Sequence, residues 1–183
     1  MRSYRYRKSV TLVMGQKGQL DPDLSIIDAV KLYASIYSID KKEALYRAYN
    51  MAEELNLAEV DLRKQVRNLS LGQRMKGELI LSFLHLPTII FLDEPTLGLD
   101  FVTQRAIRNY LKNYKTRYKA SIILTSHYIR DIEDLCDSIY IINKGEPLYY
   151  GTIDNLKRMV PNIRKVQFSE VRTSLKIFKN ILK

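Results

Sequence analysis

Apolar positions change their period twice along the 183 residues, and the changes divide the chain. SVTLVM (9 to 14) is a continuous apolar run of strand length, read as a buried strand, and it leads into the loop GQKGQLDPD. From Ser25 the apolar residues recur at intervals of three and four. One helix is predicted from Ser25 to about Ile39, opened by S-x-x-D, and a second from Asp40 to about Leu55, opened by D-x-x-E. In NLSLGQRMKGEL (68 to 79), Ser70 and Gln73 have the S-x-x-Q form of a capping box, and Leu71, Met75, Leu79 and Phe83 follow at helical spacing. A helix from Ser70 to His85 follows, stopped by Pro87. Residues 25 to 85 are expected to be mostly helical.

After Pro87 the period changes again. TIIFL (88 to 92) is a short apolar strand, Val102 to Tyr114 a helix with the stripe Val102, Ala106, Tyr110 and Tyr114, and SIILT (121 to 125) a second strand. Strands alternating with helices imply a parallel sheet with crossover connections. A helix at 128 to 136 comes next, then SIYIIN and PLYYG, read as a hairpin with the three-residue turn Lys144-Gly145-Glu146. Ile153 to Met159 is a short helix. Lys165 to Phe168 and Val171 to Lys183 are read as the strand and helix of a small appendage.

Composition narrows the function. A hydrophobic share of 46 % excludes a disordered chain. The longest apolar run, LILSFLHLPTIIFL, is interrupted by His85 and Pro87 and is too short to span a bilayer. The basic start, MRSYRYRKSV, runs into a segment too short for a signal sequence, so a cytoplasmic or cytoplasm-facing protein is expected. Cys136 has no cysteine to pair with and reads as a small core residue. Thirty Lys plus Arg against twenty Asp plus Glu give +10, which suits nucleic acid, an anionic membrane face or a solvated surface. There is no Cys/His finger spacing and no aromatic RNA-binding pattern, so a nucleic-acid role rests on charge alone and no nucleic-acid partner is expected.

In open parallel sheets, ligands bind at the carboxyl ends of the strands. TIIFL is followed there by Asp93-Glu94-Pro95. Two adjacent carboxylates at a buried strand end are unfavourable unless they meet a cation or a reacting group. They suit magnesium-dependent phosphoryl transfer, with Asp93 holding the ion and Glu94 polarising a water. SIILT ends in Ser126-His127, where the imidazole can donate to a terminal phosphate, and TLVM ends in Gly15-Gln16, whose amide can touch metal or water. The Ser70-Leu71-Gly72-Gln73 turn presents unpaired N–H groups and a positive dipole end to an anion. Taken singly, each is equally a polar strand end, a helix cap or a solvated loop.

Their order and spacing are what single them out. The chain resembles the ATP-binding subunit of an ABC transporter over about residues 8 to 156. Gln16 matches the Q-loop of that family, LSLGQ (69 to 73) its signature motif with Leu71 where Gly is usual, and IIFLDEP (89 to 95) its Walker B strand. TLGLD (96 to 100), with Asp100, matches the D-loop, and TSH (125 to 127) the H-loop. GLD before a helix, SHYIRDIEDLCD and the KGEPLYYG hairpin are similar to the ABC-2 type exporters.

The resemblance implies an α/β fold, a partial P-loop NTPase-like core with a parallel sheet plus an ABC-type helical subdomain. The expected division is 1 to 24 (Q-loop strand and loop), 25 to 86 (helical subdomain), 87 to 160 (core with Walker B, D-loop and H-loop) and 161 to 183 (appendage). It implies ATP and Mg2+ as cofactors, with Glu94 as general base, Asp93 as the magnesium partner, assisted by Gln16, and His127 as γ-phosphate sensor. Ser70, Leu71, Gly72, Gln73 and Asp100 would address nucleotide across a dimer of two ATP-binding subunits. A membrane permease subunit is the other implied partner, with the chain peripheral at the inner face of the membrane. The family cradles its own nucleotide with G-x-x-x-x-G-K-[ST], and none of the seven glycines here belongs to such a pattern. The chain is therefore expected to be an N-terminally shortened ABC ATPase, inactive by itself. The alternatives are a non-catalytic partner offering only its signature face, and a basic nucleic-acid binder related to soluble ABC proteins.

Overall fold

A computed structural model describes residues 8 to 15 and 18 to 159. Gln16 and the expected appendage of 161 to 183 lie outside the described residues. The chain divides into two compact units at Cys136/Asp137.

In the first unit, β1 (Val10–Met14) is followed by α1 (Ile26–Tyr37), α2 (Lys41–Glu54) and α3 (Glu59–Leu62). A 3-10 turn (Val66–Asn68) leads to α4 (Leu71–Phe83), and then β2 (Ile89–Asp93), α5 (Phe101–Tyr118), β3 (Ser121–Thr125) and α6 (Ile129–Leu135). The predicted caps are the observed ones. Ser25 Oγ accepts from Asp28 N, Asp40 from Lys42 N and Glu43 N, and Ser70 forms both halves of a capping box with Gln73. The two helices α1 and α2 pack on each other, and the short side chains Ala29 and Ala34 on α1 and Ala44, Ala48 and Ala52 on α2 are buried. A methyl at Gly77 of α4 would fall 2.7 Å from Ile26 Cδ1, so α4 crosses α1 at short range. Phe83 stands edge-on to Tyr114 of α5, ring centroids 4.6 Å apart, which ties the helical layer to the helix behind the sheet.

The sheet is parallel, in the order β1-β2-β3, as the strand and helix alternation implies. Val13, Ile90 and Leu92 join the core from one face. On the other, Leu12, Phe91 and Ile123 form one row in register and are exposed, Phe91 by 37 % and Ile123 by 57 %. SVTLVM, read as a buried strand, is thus covered on one face only. Two other expectations need correction. Val102 is 72 % exposed, and the buried stripe of α5 runs instead through Ala106, Ile107, Tyr110, Leu111 and Tyr114, one position further round the helix. Cys136 is only partly buried and packs against the rim of the core, because α6 ends at Leu135.

The second unit holds a hairpin, β4 (Ile139–Asn143) and β5 (Glu146–Gly151), followed by α7 (Ile153–Met159). Asn143 pairs with Glu146, so the turn has two residues rather than three. Lys144 and Gly145 both have positive φ (51° and 83°), the backbone of a type I′ turn, which matches strand twist.

Candidate functional site

Asp93 closes β2 in register with Met14 and Thr125, so three strand ends meet at one edge of the sheet. The chain then turns sharply at Glu94, whose φ is +50°. A non-glycine residue in the left-handed region stores about 1 to 3 kcal/mol and persists only where its surroundings over-determine it. Here they do. Glu94 N donates to Thr125 O (3.1 Å) and Thr125 Oγ1 (3.2 Å), while Thr125 Oγ1 donates to Asp93 Oδ1 at 2.6 Å. Gly15 N donates to Asp93 O at 2.8 Å, and a side chain at Gly15 would collide with the Glu94 carbonyl.

The turn aims the Glu94 carboxylate at the loop after β3. Its Oε2 accepts from His127 N (3.2 Å) and its Oε1 lies 3.2 Å from His127 Nε2. The carboxylate is largely shielded while the imidazole stands in solvent. Asp93, Glu94 and His127, singled out from separate stretches of sequence, are therefore one constellation. A shielded carboxylate holding an exposed imidazole can accept a proton from a water, and the ring can donate to an anion in front of it. Asp93 Oδ1 is occupied by Thr125, which leaves Oδ2 as a cation ligand. No group of three or more acidic, His or Cys side chains among the described residues could enclose a metal. The single oxygen left at Asp93 is compatible with Mg2+, which takes one or two carboxylates together with waters and substrate phosphates.

Ser70, Leu71, Gly72 and Gln73 form the first turn of α4. Gln73 Oε1 accepts from Ser70 N (2.8 Å) and Ser70 Oγ from Gln73 N (3.2 Å), so the capping box occupies both residues and leaves the N–H groups of Leu71 and Gly72 for an outside acceptor. Gln73 Nε2 also donates to Asp61 Oδ2 (2.8 Å), fixing the turn from below. Leu71 is 51 % exposed. A methyl at Gly72 would stand 3.1 Å from Thr103 of α5, and one at Gly98 (φ +74°) would stand 3.5 Å from Leu71, so this turn packs on the loop and helix that follow Glu94. Asp100 caps α5, accepting from Thr103 N at 2.9 Å, and that bond holds its carboxyl below the usual range.

Two features had no sequence signal. Glu78 of α4 is buried, and its carboxylate accepts from Gln19 N (2.9 Å) and Leu20 N (3.0 Å), so the signature-like helix grips the loop after β1. Burial raises its pKa against the pull of those bonds. Asp131 and Arg108 form a buried ion pair (3.0 Å). A polar residue at an amphipathic position carries no local mark that it will be buried by a distant partner.

Comparison with known proteins bears on the family and the fold. A family model described as "AAA domain, putative AbiEii toxin, Type IV TA system" matches residues 25 to 128. An ABC transporter ATP-binding protein of Methanocaldococcus jannaschii is 32 % identical over 141 residues, 77 % of this chain and 53 % of the relative. The chain spans about half the length of such curated relatives. A solved ATP-binding subunit of an ABC transporter superposes with a TM-score of 0.72 at 26 % identity, over 87 % of this chain and 65 % of that one. A dimeric ATP-binding cassette in a post-hydrolysis state with ADP and Pi superposes with a TM-score of 0.73 over 82 % of this chain and 66 % of that one; at 22 % identity it is alike in fold.

Proposed function

The chain belongs to the family of ABC transporter ATP-binding proteins, and we propose that its Asp93–Glu94–His127 constellation hydrolyses ATP in a dimeric assembly that drives export through a membrane partner. The observation that carries this is the Glu94 carboxylate, turned by its left-handed backbone onto His127. Glu94 takes the proton from the attacking water, and His127 donates to the terminal phosphate. Asp93 would hold Mg2+, which when bound neutralises phosphate charge. Gln16, next to Gly15 at the end of β1, would link nucleotide to the membrane partner. The N–H groups of Leu71 and Gly72, with Ser70, would face the nucleotide of the second subunit, with Asp100 beside the same surface. Support for a dimer comes from the shared fold with a dimeric, ADP-bound cassette. Support for an exporter of the ABC-2 type comes from the SHYIRDIEDLCD and KGEPLYYG stretches.

The proposed division of labour is helical subdomain (25 to 86), core (1 to 24 with 87 to 160) and a C-terminal appendage. No helix among the described residues is long and apolar enough to cross a membrane, which is compatible with peripheral attachment.

A second reading has an observation of its own. The 183 residues contain no G-x-x-x-x-G-K-[ST] loop, so the phosphate cradle would come from elsewhere, and the chain could serve only as the signature face for a P-loop-bearing subunit. One experiment separates the two. ATP turnover is measured with the chain complemented by a polypeptide that carries the P-loop. Under the first reading Glu94→Gln slows turnover by about 10² or more with nucleotide binding kept. Under the second, Ser70→Ala abolishes turnover and Glu94→Gln leaves it unchanged. Turnover indifferent to both substitutions excludes both readings.

A further inference from the structure

Adjoining the Glu94 and His127 segments is a polar cluster that the reading above does not use. Asp131 of α6 has no solvent exposure. Its Oδ2 accepts from Ser126 Oγ (2.8 Å) and from Thr96 Oγ1, and its Oδ1 pairs with Arg108 Nη1 at 3.0 Å. Thr96 and Arg108 are themselves buried. Arg108 Nε stands 3.0 Å from Asp134 Oδ2, off the line of its N–H, so that second contact is electrostatic rather than a directed hydrogen bond. Ser126 Oγ passes the chain of bonds on by accepting from Tyr128 N (3.0 Å), and Gln104 of α5 donates to Thr96 O (3.3 Å) and Leu99 O (3.1 Å).

The connectivity matters more than the burial. Thr96 is two residues from Glu94, and Ser126 is next to His127. One carboxylate oxygen therefore ties the segment carrying Glu94 to the segment carrying His127, and Arg108 anchors that carboxylate to α5. A buried ion pair is weak evidence of stabilisation, because well-packed apolar residues of the same volume often serve as well or better. What apolar residues lack is direction. Hydrogen bonds from two hydroxyls to one fixed oxygen set the relative position of two loops, which dispersion forces do not.

We infer that Asp131 is a positioning residue: it locks loop 94 to 100 and loop 126 to 128 into one unit, so that the Glu94 carboxylate and the His127 ring keep their register and a displacement of either loop is carried to the other. The inference rests on the proposed function for its meaning in catalysis, but its geometric content does not require nucleotide.

The test is therefore done first without it, by NMR on the full 183-residue chain. In the parent, Glu94→Gln shifts the ring resonances of His127. In the Asp131→Asn background the same substitution leaves them unmoved, and amide exchange at Glu94, His127 and Tyr128 quickens at least tenfold while Leu79 to Leu81 of α4 change less than twofold. A residue that merely stabilises the fold would quicken all of these amides alike and preserve the Glu94–His127 response, and that result overturns the inference. If Asp131→Asn does not fold, Thr96→Val and Ser126→Ala each remove one hydroxyl and keep the Arg108–Asp131 pair; together they abolish the response, and its survival in the double variant is equally decisive. In the P-loop-complemented assay, Asp131→Asn lowers kcat about tenfold with KM unchanged. Loss of the NMR response with no turnover in the unsubstituted mixture refutes the proposed function alone, and turnover with the NMR response intact refutes this inference alone.

Discussion

Glu94 shows how much a single backbone conformation decides. With φ at +50° its carboxylate meets His127, and the turn is enforced by its own N–H on Thr125 and by Gly15 pressed against its carbonyl. Gly15→Ala should therefore push the end of β1 away from β2. We expect a loss of about 1 to 3 kcal/mol, the usual range for forcing atoms into a filled site, read as a lower denaturant midpoint with an unchanged slope. An alanine variant as stable as the parent would mean that the close approach is not tight. Asp93, Glu94 and His127 were legible because each lies within two residues of the end of an apolar run, where local pattern places a strand end. Thr125 as the group that binds both Asp93 and Glu94 was not, since that pairing exists only once β2 and β3 lie in register. Gln16, predicted at the end of the first strand, falls outside the described residues.

Helix starts were legible because a cap is local chemistry: Ser25, Asp40 and Ser70 each bond to backbone two or three residues on. Helix faces were less so. Val102 fits the period of α5 and is nevertheless exposed, because which apolar stripe is used depends on what packs there. Glu78 is the converse, a polar residue one place before Leu79 that is buried to answer the N–H groups of Gln19 and Leu20. Its stability effect has a definite sign. Burial raises its pKa, so the folded chain holds a proton at pH values where the unfolded chain has released it. Stability from this group is present below the ordinary glutamate range and is lost as pH rises through the folded value. Comparing denaturation curves from about pH 4 upward, Glu78→Gln should gain stability relative to the parent as pH increases, whatever its constant offset. Parallel curves would show that the two backbone bonds cancel the effect of burial, and a relative loss with rising pH that they outweigh it.

At the scale of the whole molecule, the parallel sheet was legible from the alternation of strands and helices, but its bare face was not. A continuous apolar run says that both faces of a strand favour burial; it does not say that the covering layer lies in the same 183 residues. The row Leu12, Phe91 and Ile123 remains open, and among the described residues β3 pairs only with β2. Such an edge and face favour self-association or a completing partner. The same 183 residues lack the glycine-rich loop and lysine that would hold the β- and γ-phosphates in cis. What they do offer a nucleotide is one free carboxylate oxygen at Asp93, an exposed imidazole, and a helix turn whose capping box already uses Ser70 and Gln73. Three missing charge-assisted hydrogen bonds at about 1.5 to 3 kcal/mol each amount to roughly 4 to 9 kcal/mol. That is about three to six decades in affinity, enough to move a micromolar site past useful concentrations. The purified chain should therefore give no heat of binding with micromolar Mg-ATP in calorimetry and no phosphate release. Micromolar binding, or turnover abolished by Glu94→Gln in the chain alone, would mean that the strand-end constellation and the Ser70 turn suffice to hold the triphosphate without a P-loop.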